Sequence, residues 1–174
     1  MTNNQSTDAK KLIQQASQGF AEAQFNLGMA YYNGDGVPQD YAQAVKWFRL
    51  AADQGVASAQ YNLALCYMKG EGVEKDMAEG HIWLENAAEQ NHTKSQIVLG
   101  KVYGNLATFN AGNFFNSRLY PDAMVNCLKW FYLAWMNGEA NAEELIKMAL
   151  SNATEKEITR AQELARNWKP KKNR

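Results

Sequence analysis

The residues of this chain that could do chemistry are few, and their spacing argues against it. His81 and His92 are its two histidines, and with Cys66 and Cys127 they fit no metal-ligand spacing. No grouping of Ser, Cys and His reads as an activated nucleophile. His81 stands one helical turn from Glu85, the spacing of a surface i,i+4 pair. The two cysteines form no recurring pair of the kind that staples secreted domains, and they read as small packing residues. Gly34-Asp35-Gly36 and Gly70-Glu71-Gly72 have the composition of phosphate-cradling loops. They lack the strand and lysine of a P-loop, and the third glycine of a dinucleotide fingerprint. The expectation is a non-enzymatic protein with no catalytic residue, no metal and no cofactor.

Composition narrows the class further. The 174 residues are 46% hydrophobic and 21% charged, enough apolar material for a continuous core. Lys plus Arg equals Asp plus Glu, 18 against 18, so no global field draws the chain to nucleic acid or to an anionic membrane. No run approaches the ~18 apolar residues of a membrane span, and the polar Met1–Asp8 segment is no secretory core. A cytoplasmic protein is expected. The basic end, Lys169 to Arg174, reads as a frayed, solvated tail.

The two glycine loops are 36 residues apart because everything around them recurs at that period. Ala23-Gln24-Phe25-Asn26-Leu27-Gly28 returns as Ala59-Gln60-Tyr61-Asn62-Leu63-Ala64, Tyr31 as Tyr67, Asp40 as Asp76 and Trp47 as Trp83. A third copy opens in phase with Ser95-Gln96, Leu99-Gly100 and Tyr103, and its tryptophan, Trp130, arrives 11 residues late. Such a period is the signature of stacked helical hairpins. In the first copy the apolar spacing predicts helix A over 21–33. Gly34 and Gly36 stop it, and in the second copy Gly70 and Gly72 do the same. Asp40 and Asp76 cap the second helices, with Glu79 expected to complete a capping box. The sequence thus predicts an all-α fold, a right-handed α-solenoid of antiparallel helix hairpins. Three repeats of about 36 residues carry helical caps. Residues 1–7 are expected to be disordered, 8–18 to form a cap helix, and 21–56, 57–92 and 93–138 to be the repeats, the last with the insertion. Residues 140–168 are expected to form C-terminal cap helices, opened by a Thr154–Glu157 capping box, and 169–174 the tail. The Asn- and Gly-rich stretch 104–116 reads as loop. Its Phe109, Phe114 and Phe115, with Tyr120, are expected to cover the groove or to mediate self-association.

The pattern Ala-Gln-x-x-Leu-Gly-x-x-Tyr-x-x-Gly-x-Gly-Val-x-x-Asp-x-x-x-Ala-x-x-Trp-x-x-x-Ala-Ala-x-x-Gly resembles the Sel-one-like repeat (SLR), a relative of the tetratricopeptide repeat. The departures are Ala64 for glycine, Gly80 for alanine, Asn91 for glycine, and Trp135 where the second alanine belongs. The resemblance implies a TPR-like superhelix acting as an adaptor or scaffold, with bacterial members tied to host contact, signalling or toxin–immunity pairs. Leu27, Gly28, Tyr31, Gly34, Gly36, Asp40 and Trp47 then hold structural positions of the first copy. Leu63, Tyr67, Gly70, Gly72, Asp76 and Trp83 hold those of the second, and Leu99, Tyr103 and Trp130 those of the third. The positions between them on each first helix must face the concave side. These are Phe25, Met29 and Tyr32, then Tyr61, Leu65 and Met68, then Ile97 and Lys101. Aromatics and methionine are the composition of an adaptable binding groove. The expected partner is a protein or peptide bound there, by a monomer or weak homodimer. An immunity-type inhibitor of one bacterial toxin is the alternative.

Overall fold

Helices in this chain stop at the left-handed Gly34 and Gly70 and start at the capping side chains of Asp40, Asp76 and Thr154. The computed structural model describes the backbone of residues 2–110 and 122–171, and the side chains of 10–108 and 122–171. All regular structure among the described residues is helical. In chain order the helices are α1 (Thr2–Ser17), α2 (Ala21–Asn33), α3 (Tyr41–Asp53), α4 (Ala57–Lys69) and α5 (Met77–Glu89). They continue with α6 (Thr93–Asn110), α7 (Ala123–Met136), α8 (Ala142–Leu150) and α9 (Glu155–Arg166). The chain divides into two compact units that part between Ala87 and Ala88.

In the first unit, α2 packs on α3, α3 on α4 and α1 on α2. Gly34 and Gly70 end α2 and α4 at φ 78° and 79°, returning their N–H groups to Ala30 and Cys66. The Asp40 carboxylate accepts from Ala42 and Gln43 N–H, and Asp76 repeats this with Ala78 and Glu79. The expected capping box at Glu79 does not form. The Asp76 N–H instead reaches the Tyr67 carbonyl, and the Glu79 carboxylate accepts from the Trp83 indole at 2.8 Å. α1 begins at Thr2, so the backbone of 2–7, which the sequence reading leaves disordered, is helical.

The departures from the repeat pattern compensate one another. A Cβ on Gly28 would lie 2.5 Å from the Phe48 ring and 3.3 Å from the Ala44 carbonyl oxygen. One repeat later the glycine has changed helices: Ala64 stands opposite Gly80, where a Cβ would meet the Ala64 carbonyl oxygen at 3.1 Å. Each hairpin keeps one glycine at its closest crossing, since two β-carbons do not fit there. The next layer obeys the same rule. Phe48 and Phe131 fill the space left by Gly28 and Gly100, whereas Leu84 occupies the equivalent place in the repeat that carries Ala64.

In the second unit α7 is central and packs on α6, α8 and α9. Its core joins Ile97, Val125, Cys127, Leu128, Phe131, Ile146 and Ala161. Residues 104–110, expected to be loop, continue α6. Tyr103 and Ala107, one turn apart, pack against that core, and the Thr108 hydroxyl donates to the Gly104 and Asn105 carbonyls. Buried contacts therefore override the weak helix propensity of Gly and Asn. The Phe114, Phe115 and Tyr120 expectations lie outside the described residues, as does the side chain of Phe109. At the other end, Thr154 and Glu157 form the expected reciprocal capping box.

One repeated device escaped the sequence reading. The buried amides of Gln24, Gln60 and Gln96 each donate to a carbonyl eight residues back, on Ala16, Ala52 and Ala88. Each glutamine thus satisfies the last turn of the preceding helix, whose carbonyls have no partner inside that helix. Between helix and glutamine lies a left-handed turn at Gly19, Gly55 and Asn91, with φ of 93°, 85° and 71°. Asn91 is tolerated because an asparagine side chain can bond locally. It accepts from Gln96 and Asn137 and donates to Asn137.

Candidate protein-binding face

Helical spacing puts Phe25, Met29 and Tyr32 on one stripe of α2, and Tyr61, Leu65 and Met68 on the same stripe of α4. All six are half-buried. The three on α2 are held from below. Phe25, Met29 and Tyr32 pack against the cluster of Ala44, Val45 and Phe48, with the Phe25 and Tyr32 ring centroids 6.1 and 6.3 Å from that of Phe48. Tyr41 meets Tyr32 edge-on at 5.2 Å. Side chains so supported lose little freedom on contact with a partner.

Polar bonds fix the ends of the stripe. The Tyr32 hydroxyl donates to the Glu71 carboxylate at 2.7 Å, tying the first helix of one repeat to the loop of the next. Lys69 approaches both groups, at 3.4 and 3.5 Å. The Glu71 bond, with burial second, holds the Tyr32 hydroxyl above its ordinary pKa. Burial does the same for Tyr61. Both phenols are neutral donors at physiological pH. Arg49 donates to the Tyr67 hydroxyl, a tie that the repeat pattern does not announce.

The third repeat departs from expectation. Ile97 is 7% exposed and belongs to the core of the second unit, among Val125, Leu128 and Phe131, so it is no surface residue. Lys101 is exposed. The structural positions divide by depth. Leu27, Gly28, Leu63, Tyr67, Leu99 and Trp130 are buried, while Tyr31, Trp47, Trp83 and Tyr103 are half-buried. Gly36 and Gly72 are left-handed at 73° and 72°, and a Cβ on Gly72 would stand 2.2 Å from the backbone of Tyr41. The Trp47 indole N–H is buried without an acceptor among the described residues; Gln43 stands where Glu79 serves Trp83.

Both cysteines are buried. Burial pushes the Cys66 thiol up to about 11 and the Cys127 thiol up to about 12, so neither is a thiolate at neutral pH. His81 pairs with Glu85 at 3.4 Å. Among the described residues no three His, Cys, Asp or Glu side chains converge as metal ligands, and no helix is long and apolar enough to cross a membrane.

The fold and the twice-repeated hairpin define an all-helical repeat architecture. Residues 21–56 and 57–92 both match the family model of the Sel1 repeat, and the chain carries these two as Sel1 repeats. Its backbone is similar to that of c5321, a protective antigen present in uropathogenic Escherichia coli strains and displaying an SLR fold. The TM-score is 0.74 and the identity 28%, over 92% of this chain and 32% of the antigen. The chain thus spans about a third of that protein. It is also similar to a Sel1 repeat protein from Oxalobacter formigenes, with TM-score 0.62 and 28% identity over 81% of this chain and 98% of the other. No curated protein matches it. Sel1 repeats are generally protein–protein interaction scaffolds.

Proposed function

We propose that this chain is a non-enzymatic interaction module that binds a protein or peptide partner on the first-helix face of its first unit. The observation that carries the reading is the six-residue stripe of Phe25, Met29, Tyr32, Tyr61, Leu65 and Met68. It recurs at the repeat spacing and is partly open, and its α2 half rests on the buried Ala44, Val45 and Phe48. Aromatic and methionine side chains are the types that dominate interface energetics, and a stiff display lowers the entropic cost of association. Tyr32, already bonded to Glu71, acts as a fixed wall; Tyr61, Leu65 and Met68 are the anchors. Each anchor cut to alanine is expected to cost ~1 kcal/mol or more of binding.

The test compares wild type with a Tyr61→Ala/Met68→Ala variant of unchanged melting temperature, both tagged and used to capture partners from native lysate. A protein captured by wild type and lost by the variant supports the face. A partner retained equally by both moves the binding surface elsewhere.

A further inference from the structure

The glutamine that ties each first helix to the helix before it is missing at the last junction. Gln24, Gln60 and Gln96 reach back to Ala16, Ala52 and Ala88, and the turn between closes by an N–H from Gly19, Gly55 or Asn91 to the same alanine carbonyl. After α7 the same turn closes from Gly138 to the Trp135 carbonyl. Eight residues beyond Trp135 stands Glu143, whose carboxylate has no N–H to give. It is exposed and pairs with Lys147 at 2.6 Å. The hairpin of α8 and α9 therefore joins the stack without the glutamine that secures α2, α4 and α6.

A terminal hairpin is where a repeat stack opens most easily, since each repeat is held only by its neighbours. Here the chain turns back after α9. Trp168 is half-buried, and with Lys169 it lines one surface depression shared with Val125, Asn126 and Lys129 of α7. Further on, Lys171 grips Glu89, the last residue of α5 and the second residue of the second unit. The Lys171 backbone N–H donates to the Glu89 carbonyl at 2.8 Å, and its ammonium meets the Glu89 carboxylate at 2.5 Å. That carbonyl lies in the last turn of α5, where helix geometry supplies no intrahelical donor. The segment that composition marks as a frayed tail is thus docked as far as Lys171.

We propose that Trp168–Lys171 is a strap that joins the end of the second unit to its beginning and holds the last hairpin where the glutamine is lost. α9 cannot swing away from α7 without releasing Lys171 from Glu89, so both bonds of that grip add to the cost of opening the hairpin. The strap involves none of the residues of the first-unit stripe.

Native-state hydrogen exchange of the full chain, read by NMR, tests it. The Lys171 amide should exchange about fivefold more slowly than in the isolated tail peptide, the protection of one hydrogen bond. Lys171→Pro removes the N–H and the ammonium together at an exposed position. The amides of Ala161 and Ala165 in α9 should then exchange about fivefold faster or more. Lys171→Glu keeps the N–H and sets two carboxylates together, and it should accelerate the same amides about twofold. The exchanged pair, Glu89→Lys with Lys171→Glu, should recover most of that loss. A Lys171 amide exchanging as in the free peptide, α9 amides indifferent to Lys171→Pro, or an exchanged pair no better than Lys171→Glu alone would each overturn the proposal.

Discussion

Gly28→Ala is a demanding test of the packing logic, because two opposed terms of similar size meet at one atom. Removing a glycine from a helix interior stabilises by about 1 kcal/mol relative to alanine, if nothing else changes. Here the new Cβ stands 2.5 and 2.7 Å from Cδ1 and Cε1 of Phe48 and 3.3 Å from the Ala44 carbonyl oxygen. Carbon contacts settle at about 3.5–4.0 Å, so the ring must retreat by about 1 Å. Phe48 and Ala44 are both 0% exposed, which leaves no empty side for it to retreat into. Overpacking of this kind costs about 1–3 kcal/mol, and with two ring atoms hit the upper end applies, for a net loss of about 1–2 kcal/mol. At about 2–4 °C per kcal/mol for a chain of this size, Tm should fall by roughly 2–8 °C. The second repeat shows the remedy, since Ala64 there goes with Leu84. Phe48→Leu alone should cost about 1 kcal/mol as a large-to-small change. Combined with Gly28→Ala it should cost less than the two singles together, with a coupling of about 1 kcal/mol. Urea and thermal unfolding followed by far-UV circular dichroism would measure all four proteins of the cycle. A Gly28→Ala protein as stable as wild type, or strictly additive changes, would refute the packing argument.

Gly72→Ala should be far worse than Gly19→Ala. Both require a left-handed residue, at about 1–2 kcal/mol, but only Gly72 would also drive a Cβ to 2.2 Å from the Tyr41 backbone, and comparing the two melting temperatures isolates that clash. Gln60→Leu should lower stability by about 1 kcal/mol in urea unfolding, because the Ala52 carbonyl loses the Gln60 amide and keeps only backbone N–H donors such as Gly55. Burial, with Lys94 second, holds the His92 imidazole below its usual 6.5, so the folded chain favours the neutral ring. The stability it contributes is present above pH 6.5 and lost as pH falls through the folded value. His92→Val, the residue type of Val56 one repeat earlier, should therefore gain in Tm relative to wild type between pH 7 and pH 5, and a constant difference would contradict the assignment. A thiol-exchange reagent at pH 8 should modify Cys66 and Cys127 only as fast as the chain opens, since burial holds both thiols in the protonated form.

Most of the helical framework was legible because its signals are local. A repeat period, glycines at helix ends and aspartates before helix starts act within a few residues, so α2, α4 and the caps at Asp40, Asp76 and Thr154 could be read directly. Where a side chain had a choice of partners, local reading failed. Glu79 could close a capping box or accept from Trp83, and the three-dimensional position of the indole decides for Trp83. Residues 104–110 look like loop by composition, yet Tyr103 and Ala107 have a core to pack against and the helix continues. Ile97 lies on the stripe by spacing and in the core by burial.

The sequence by itself determined that this is a stack of helical hairpins, since only a repeated hairpin needs the same residues every 36 positions. It also named the stripe that the first helices present, because helical geometry fixes which residues share a face. Tertiary structure alone decided how deep each of those residues lies and why the repeat pattern is broken where it is. Gly80 pairs with Ala64, and Leu84 takes the place of Phe48. These are relations between helices, set by the volume available at a crossing, and no single position in the sequence records that volume.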